Sequence, residues 1–116
     1  MVMEQNENLE HISPEEKGKL AEEKTFLALE ELKKEGRIKD FGQSFFFSQE
    51  DLKGIDFIII SGEGKIIRLQ VKSYFWEKEM KRYRRRGIWY LAAQLEKSLE
   101  EVKKEILEIV EKATKS

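Results

Sequence analysis

The chain has 116 residues, 40% of them hydrophobic and 39% charged, with a formal net charge of −1; this fits one domain with one modest core, and no global excess of either sign draws it to a polyanion or a membrane surface. No stretch reaches the roughly 18 apolar residues of a bilayer span, and the acidic, polar start lacks the basic and apolar regions of a signal peptide, so a cytoplasmic location without a membrane partner is expected. The absence of Cys excludes disulfides and thiolate chemistry, and a zinc cage would have to come from one His and carboxylates.

In chain order, residues 1–12 carry few anchoring side chains and read as a mobile arm, His11 included. Ser13-Pro14-Glu15-Glu16 then combines a cap, a proline suited to a first helical position and the acid of a capping box. Ala21, Thr25, Ala28, Leu29 and Leu32 recur at helical spacing, and Gly36 supplies the stop. Phe41 to Ser48, with its Phe45-Phe46-Phe47 run, is expected to be a strand, and Gln49 to Gly54 a turn or loop. Ile55 to Ser61 reads as an apolar strand, Gly62-Glu63-Gly64 as a turn, and Lys65 to Ser73 as its hairpin partner. A basic connector leads to a strand at Ile88 to Gln94. Ser98 caps a last helix whose stripe is Leu99, Val102, Ile106, Ile109 and Val110. The order is helix, three strands, connector, strand, helix, and a single α/β domain over 13–116 accounts for it.

The informative residues lie in the hairpin. Asp56 interrupts an apolar run, where an acid is costly unless it is paired or binds a cation. Gln70 and Lys72 are two apart and share one strand face, opposite Leu69 and Val71. Pairing about Gly62 to Gly64 lets Asp56 meet that face near one end of the hairpin. Phosphodiester cleavage uses a divalent cation to activate water and to neutralise phosphate charge. Mg²⁺ or Mn²⁺ would take oxygens from Asp56, Gln70 and the Val71 carbonyl and keep several waters, while Lys72 would orient the attacking water or stabilise developing negative charge.

Gly54-Ile55-Asp56-Phe57, a hairpin, and Leu69-Gln70-Val71-Lys72-Ser73 together resemble the D…(D/E/Q)-x-K signature of PD-(D/E)XK nucleases, in a QxK variant. The resemblance covers the chain by layout from about Ser13 to the C-terminus. It implies a restriction-endonuclease-like α/β core: a mixed sheet of about four strands flanked by helices, in the order α-β-β-β-α/loop-β-α. It also implies catalytic residues Asp56, Gln70, Lys72 and Glu22, with Glu22 on the first helix as the supporting acid and Glu23 as its alternative.

Lys81, Arg82, Arg84, Arg85 and Arg86 form a basic strip that would hold nucleic-acid phosphates beside the site, flanked by Tyr74, Phe75, Trp76, Trp89 and Tyr90. Trp76 and Trp89, like the Phe45-Phe46-Phe47 run, are expected in the core or at a dimer contact. The leading expectation is thus a metal-dependent nuclease acting on DNA, with a homodimer if both strands of a duplex are cut. The alternatives are a nuclease-fold protein that binds nucleic acid or a protein partner without cutting, and an interaction module that uses the terminal helix.

Overall fold

The computed structural model describes residues 11–43 and 54–115. The first ten residues of the expected arm, the Phe45-Phe46-Phe47 run and most of the expected 49–54 turn lie outside the described residues. The expected architecture is found: a four-stranded mixed sheet flanked by three helices.

Helix α1 spans Pro14–Lys34. Ser13 Oγ accepts the Glu16 N–H at 3.2 Å, Pro14 occupies the first turn, and Lys33 and Lys34 sit in the last turn, where the helix dipole favours cations. Its buried face is the expected stripe of Ala21, Thr25, Ala28, Leu29 and Leu32. Thr25 satisfies its buried hydroxyl by donating to the Ala21 carbonyl at 2.8 Å.

Strand β1 is Asp40–Gln43, β2 is Phe57–Ile60 and β3 is Ile66–Lys72. β2 and β3 are each shorter than their sequence patterns, and β1 is described only to Gln43, so the expected continuation to Ser48 lies outside the described residues. All three pair antiparallel, with Phe57 opposite Leu69 and Ile60 opposite Ile66. The hairpin closes where the Gly64 N–H donates to the Ser61 carbonyl at 2.9 Å.

The segment read as a basic connector contains a second helix, α2, at Glu77–Arg85. It carries the chain over to β4, Ile88–Ala92, which lies parallel to β3 with Gln70 opposite Tyr90. A parallel neighbour needs such a crossover, commonly a helix; the segment lacks an apolar stripe, which is why periodicity alone does not reveal it. Helix α3, Leu99–Lys115, ends the described chain. Its cap is a reciprocal box: Ser98 Oγ accepts the Glu101 N–H at 3.1 Å, and Glu101 accepts the Ser98 N–H at 3.3 Å.

Helices α1 and α3 pack on one another, and α1 lies on β3. The core between them is Leu29, Leu32, Phe57, Ile59, Ile67, Leu69, Val102 and Ile106, all essentially inaccessible. Lys103 staples α3 to α1 by contacting Glu35 at 2.6 Å and Glu31 at 3.1 Å. Lys24 donates to the Gln94, Leu95 and Lys97 carbonyls at 3.2, 3.1 and 2.6 Å, fixing the turn between β4 and α3. No helix among the described residues is long and apolar enough to cross a membrane.

Candidate active site

β3 runs on past the start of β2, so its last three residues have no β2 partner. Asp56 fills that gap. Its N–H donates to the Leu69 carbonyl at 2.8 Å, and its carboxylate Oδ2 accepts the Val71 N–H at 2.8 Å. The side chain thus takes the ladder position a further strand residue would have used. Because the N–H and C=O of a strand residue face the same flank, the Val71 carbonyl faces the Asp56 side as well.

Gly54 fixes the approach to Asp56. Its φ is +81°, and a Cβ there would lie 2.8 Å from the Tyr83 ring, so only glycine lets this loop rest on α2.

Glu22 reaches the same place from α1, while Glu23 is exposed and faces away from it. Glu22, Asp56, Gln70, Val71 and Lys72 line one open cavity of about 500 Å³, together with Ser73, Tyr74 and, from the first turns of α1, Gly18 and Lys19. Of the expected site residues, the cavity gathers all those assigned to catalysis or metal binding. The basic strip does not line it. Lys19, a cation at the cavity wall, is an addition the sequence reading lacked.

Two carboxyl groups meet in this cavity. Burial and the neighbouring Asp56 charge push the Glu22 carboxyl up to about 7, and a hydrogen bond from its protonated form to Asp56 adds to the effect, against an opposing pull from Lys72. Burial also raises Asp56, while the Val71 N–H, Glu22 and Lys72 each draw it down. The pair therefore holds one proton near neutral pH. Gln70 is 7% exposed, and its Oε1 is buried without a hydrogen-bond partner among the described residues. Glu15 also lines the cavity, but among the described residues no three His, Cys, Asp or Glu side chains gather as a metal-binding group, so a cation held by Asp56 and Glu22 would need neutral oxygens as well.

Lys72 is held on the α2 side of the cavity. Its ammonium lies 3.5 Å from Glu79 Oε1. Burial pulls the group down, but the Tyr83 and Tyr74 phenols and the Glu79 carboxylate outweigh it and hold Lys72 above the ordinary lysine range. Glu79 is itself buried, and both its oxygens accept the Tyr74 hydroxyl, at 3.2 and 3.0 Å. The Tyr90 hydroxyl donates to the Tyr74 carbonyl at 2.6 Å. Glu79 was not picked out from sequence, and Tyr74 only as one of the aromatics flanking the basic strip. The available signal was that Glu79 and Tyr83 share one helix face and that a lysine beside a buried site needs a counter-charge.

The basic strip lies mainly on the outer surface of α2. Lys81 pairs with Glu77 at 3.4 Å, Arg84 stacks 3.5 Å over the Trp89 ring, and Arg86 sits 5.8 Å from the Tyr83 ring centroid. Arg82 and Arg85 are exposed and make no ion pair among the described residues. Trp89 is half-buried against the core, as expected, whereas Trp76 is 50% exposed and does not join it. Trp76 caps α2 at the surface, where the chain turns outward from the sheet before crossing to β4. Comparison with protein-family models, with curated proteins and with solved structures finds no match to this chain.

Proposed function

We propose that this chain is a metal-dependent nuclease of PD-(D/E)XK type that hydrolyses phosphodiester bonds of DNA. The observation that carries the reading is that Gln70, which lines the same cavity as Asp56, Glu22 and Lys72, has a buried amide oxygen with no hydrogen-bond partner among the described residues. Leaving such an atom without a donor costs about 1–3 kcal/mol, and a bound cation would offset that cost. The donor set suits Mg²⁺ or Mn²⁺: the Asp56 and Glu22 carboxylates, the Gln70 amide oxygen and the Val71 carbonyl, with water completing the shell. When bound, such an ion supplies an acidified water and charge neutralisation at the phosphate.

The remaining work falls to the chain's own groups. Lys72, kept as an ammonium and held by Glu79, is a fixed positive charge for a phosphate oxygen. Glu22, poised near neutrality, can take up or release a proton at the cavity wall. Lys81, Arg82, Arg84, Arg85 and Arg86 would hold the nucleic-acid backbone next to the cavity. A chain with one such cavity would cut both strands of a duplex as a homodimer.

A second reading, a nuclease-fold protein that binds nucleic acid or a protein partner without cutting, is favoured by one feature. Gln70 is neutral and the Glu22 carboxyl, pushed up to about 7, is only partly ionised at neutral pH, so the metal-free cavity carries reduced negative charge to attract a dication. Calorimetry with Mg²⁺ and Mn²⁺, run beside cleavage of labelled DNA, separates the two. The nuclease reading expects metal binding that Asp56→Ala removes, and cleavage that Asp56→Ala and Lys72→Ala both abolish while folding is intact. Undiminished cleavage in those variants, or binding of DNA without product under either ion, overturns it.

A further inference from the structure

The link from β3 to α2 is Ser73-Tyr74-Phe75-Trp76. Its three aromatic residues are 44%, 55% and 50% exposed. At about 150–250 Å² per ring, half-exposure leaves roughly 300 Å² of aromatic surface in one stretch of chain, a size at which surface patches are often functional.

This stretch is held firmly. Tyr74 is fixed at its carbonyl by Tyr90 and at its hydroxyl by Glu79. The Phe75 ring meets the Tyr90 ring edge-on, with centroids 6.0 Å apart. The Tyr74 and Phe75 rings are thus presented with little conformational freedom left to lose on binding. At one end, Ser73 and Tyr74 line the cavity of Asp56, Glu22 and Lys72. At the other, Trp76 caps α2, on which the exposed Lys78, Arg82 and Arg85 recur at i, i+4 and i+7. None of these three makes an ion pair among the described residues, although the chain carries 23 acids to 22 bases. Local cations left without counter-ions beside exposed rings match a strand that offers both phosphates and bare base faces.

We infer that Tyr74, Phe75 and Trp76 form a stacking platform for unpaired bases, so that the ligand of this site is a nucleic-acid strand with a single-stranded segment against the cavity. In a fully paired duplex the base faces are hidden in the stack and the rings would find nothing to cover. A second copy of the chain is the poorer occupant. The patch is well below the ~800 Å² per partner of a stable dimer, and the cations beside it would face those of the copy. The inference rests on the nuclease reading for the place of cutting, but its binding half stands without it.

The test is fluorescence anisotropy in EDTA, using a labelled oligothymidylate and a blunt duplex of equal length, with a cleavage arm in Mn²⁺. Wild type is expected to bind the single strand at least about tenfold more tightly than the duplex. The Phe75→Leu/Trp76→Leu double variant keeps apolar area but no ring face, and should lose about tenfold or more on the single strand while duplex binding stays put. Phe75→Tyr/Trp76→Phe should restore it. Equal affinity of wild type for the two ligands, or undiminished single-strand binding by the leucine variant, overturns the platform. So does a nucleic-acid-free dimer in sedimentation that the leucine variant dissociates. Single-strand binding without product in Mn²⁺ removes the nuclease reading and keeps the platform. Cleavage of the single strand that the leucine variant performs at full rate removes the platform and keeps the nuclease.

Discussion

If Gln70 is retained for a cation and not for the fold, replacing it should stabilise the protein where no metal is present. Gln70→Met is the informative change, because methionine is similar in volume, flexible and without an oxygen to satisfy. Gln70 is 7% exposed and its Oε1 has no partner among the described residues, a defect worth about 1–3 kcal/mol. Allowing for imperfect packing, a gain of about 1 kcal/mol is expected, or a rise of about 4 °C in Tm for a domain of this size. Metal should reverse the order. A ligand at 100 times its Kd stabilises the folded state by about 2.7 kcal/mol, which wild type should gain and Gln70→Met should largely forfeit. Thermal melts of both proteins, in EDTA and in a Mn²⁺ series, read this crossing directly. A Gln70→Met protein less stable than wild type in EDTA would refute the orphan-oxygen argument. Equal Mn²⁺ stabilisation of both would refute Gln70 as a ligand.

Glu22 binds its proton more tightly when folded (about 7) than at its ordinary 4.5, so stability should fall as pH rises from about 4.5 to about 7; discounted for solvent screening, the loss is about 1–2 kcal/mol, and Glu22→Gln should remove it in urea titrations across that range, whereas an unchanged pH profile would contradict the paired carboxyls. Lys24→Met removes three hydrogen bonds to the carbonyls between β4 and α3 and should cost about 2–3 kcal/mol with an unchanged urea m-value; a loss under about 0.5 kcal/mol would mean that water replaces the ammonium freely. Gly54→Ala should destabilise by about 1–3 kcal/mol, and by clearly more than Gly36→Ala, since both positions have positive φ but only Gly54 would drive a Cβ into Tyr83; equal losses in parallel melts would show that the ring yields.

What the sequence made legible follows from period and chemistry. Helix α1 combined a cap, a proline and a five-residue apolar stripe, all local signals, and all five residues are buried. The hairpin was legible because Gly62 and Gly64 bracket the turn, and the strand period then sets Asp56 beside the Gln70 and Lys72 face. Helix α2 was not, because its residues are almost all charged and its inner contacts are polar: Glu79 to Lys72 and Tyr74, and Tyr83 toward Tyr90. No hydrophobic pattern marks such a face. The same absence hid Glu79, which is buried by groups from β3 and from the link that follows it. Nothing in the local sequence marks Lys24, because its three carbonyl partners lie some seventy residues away in sequence. The exposure of Trp76 likewise depends on where the crossover leaves the sheet, which local sequence does not encode.

The partner of Lys72 bears on how the cavity stays open. Away from the exposed cations of α2, several described lysines are paired with acids: Lys103 with Glu35 and Glu31, Lys97 with Glu105 at 2.8 Å, Lys33 with Asp40 at 2.9 Å. At the cavity, two acids face one another while the nearest lysine is bonded to a third. Lys72 is close enough for both Glu22 and Asp56 to feel its charge, yet its contact goes to Glu79. A direct Lys72–Asp56 pair would neutralise the acid. Glu79, itself bonded by Tyr74 and set on a helix whose Tyr83 lies against the loop before Asp56, gives the ammonium another partner. The arrangement costs stability, since the acid pair shares a proton and the amide oxygen goes unpaired. A cost concentrated at one cavity, in a chain with counter-ions to spare, is what a site kept ready for a cation and a phosphate would show.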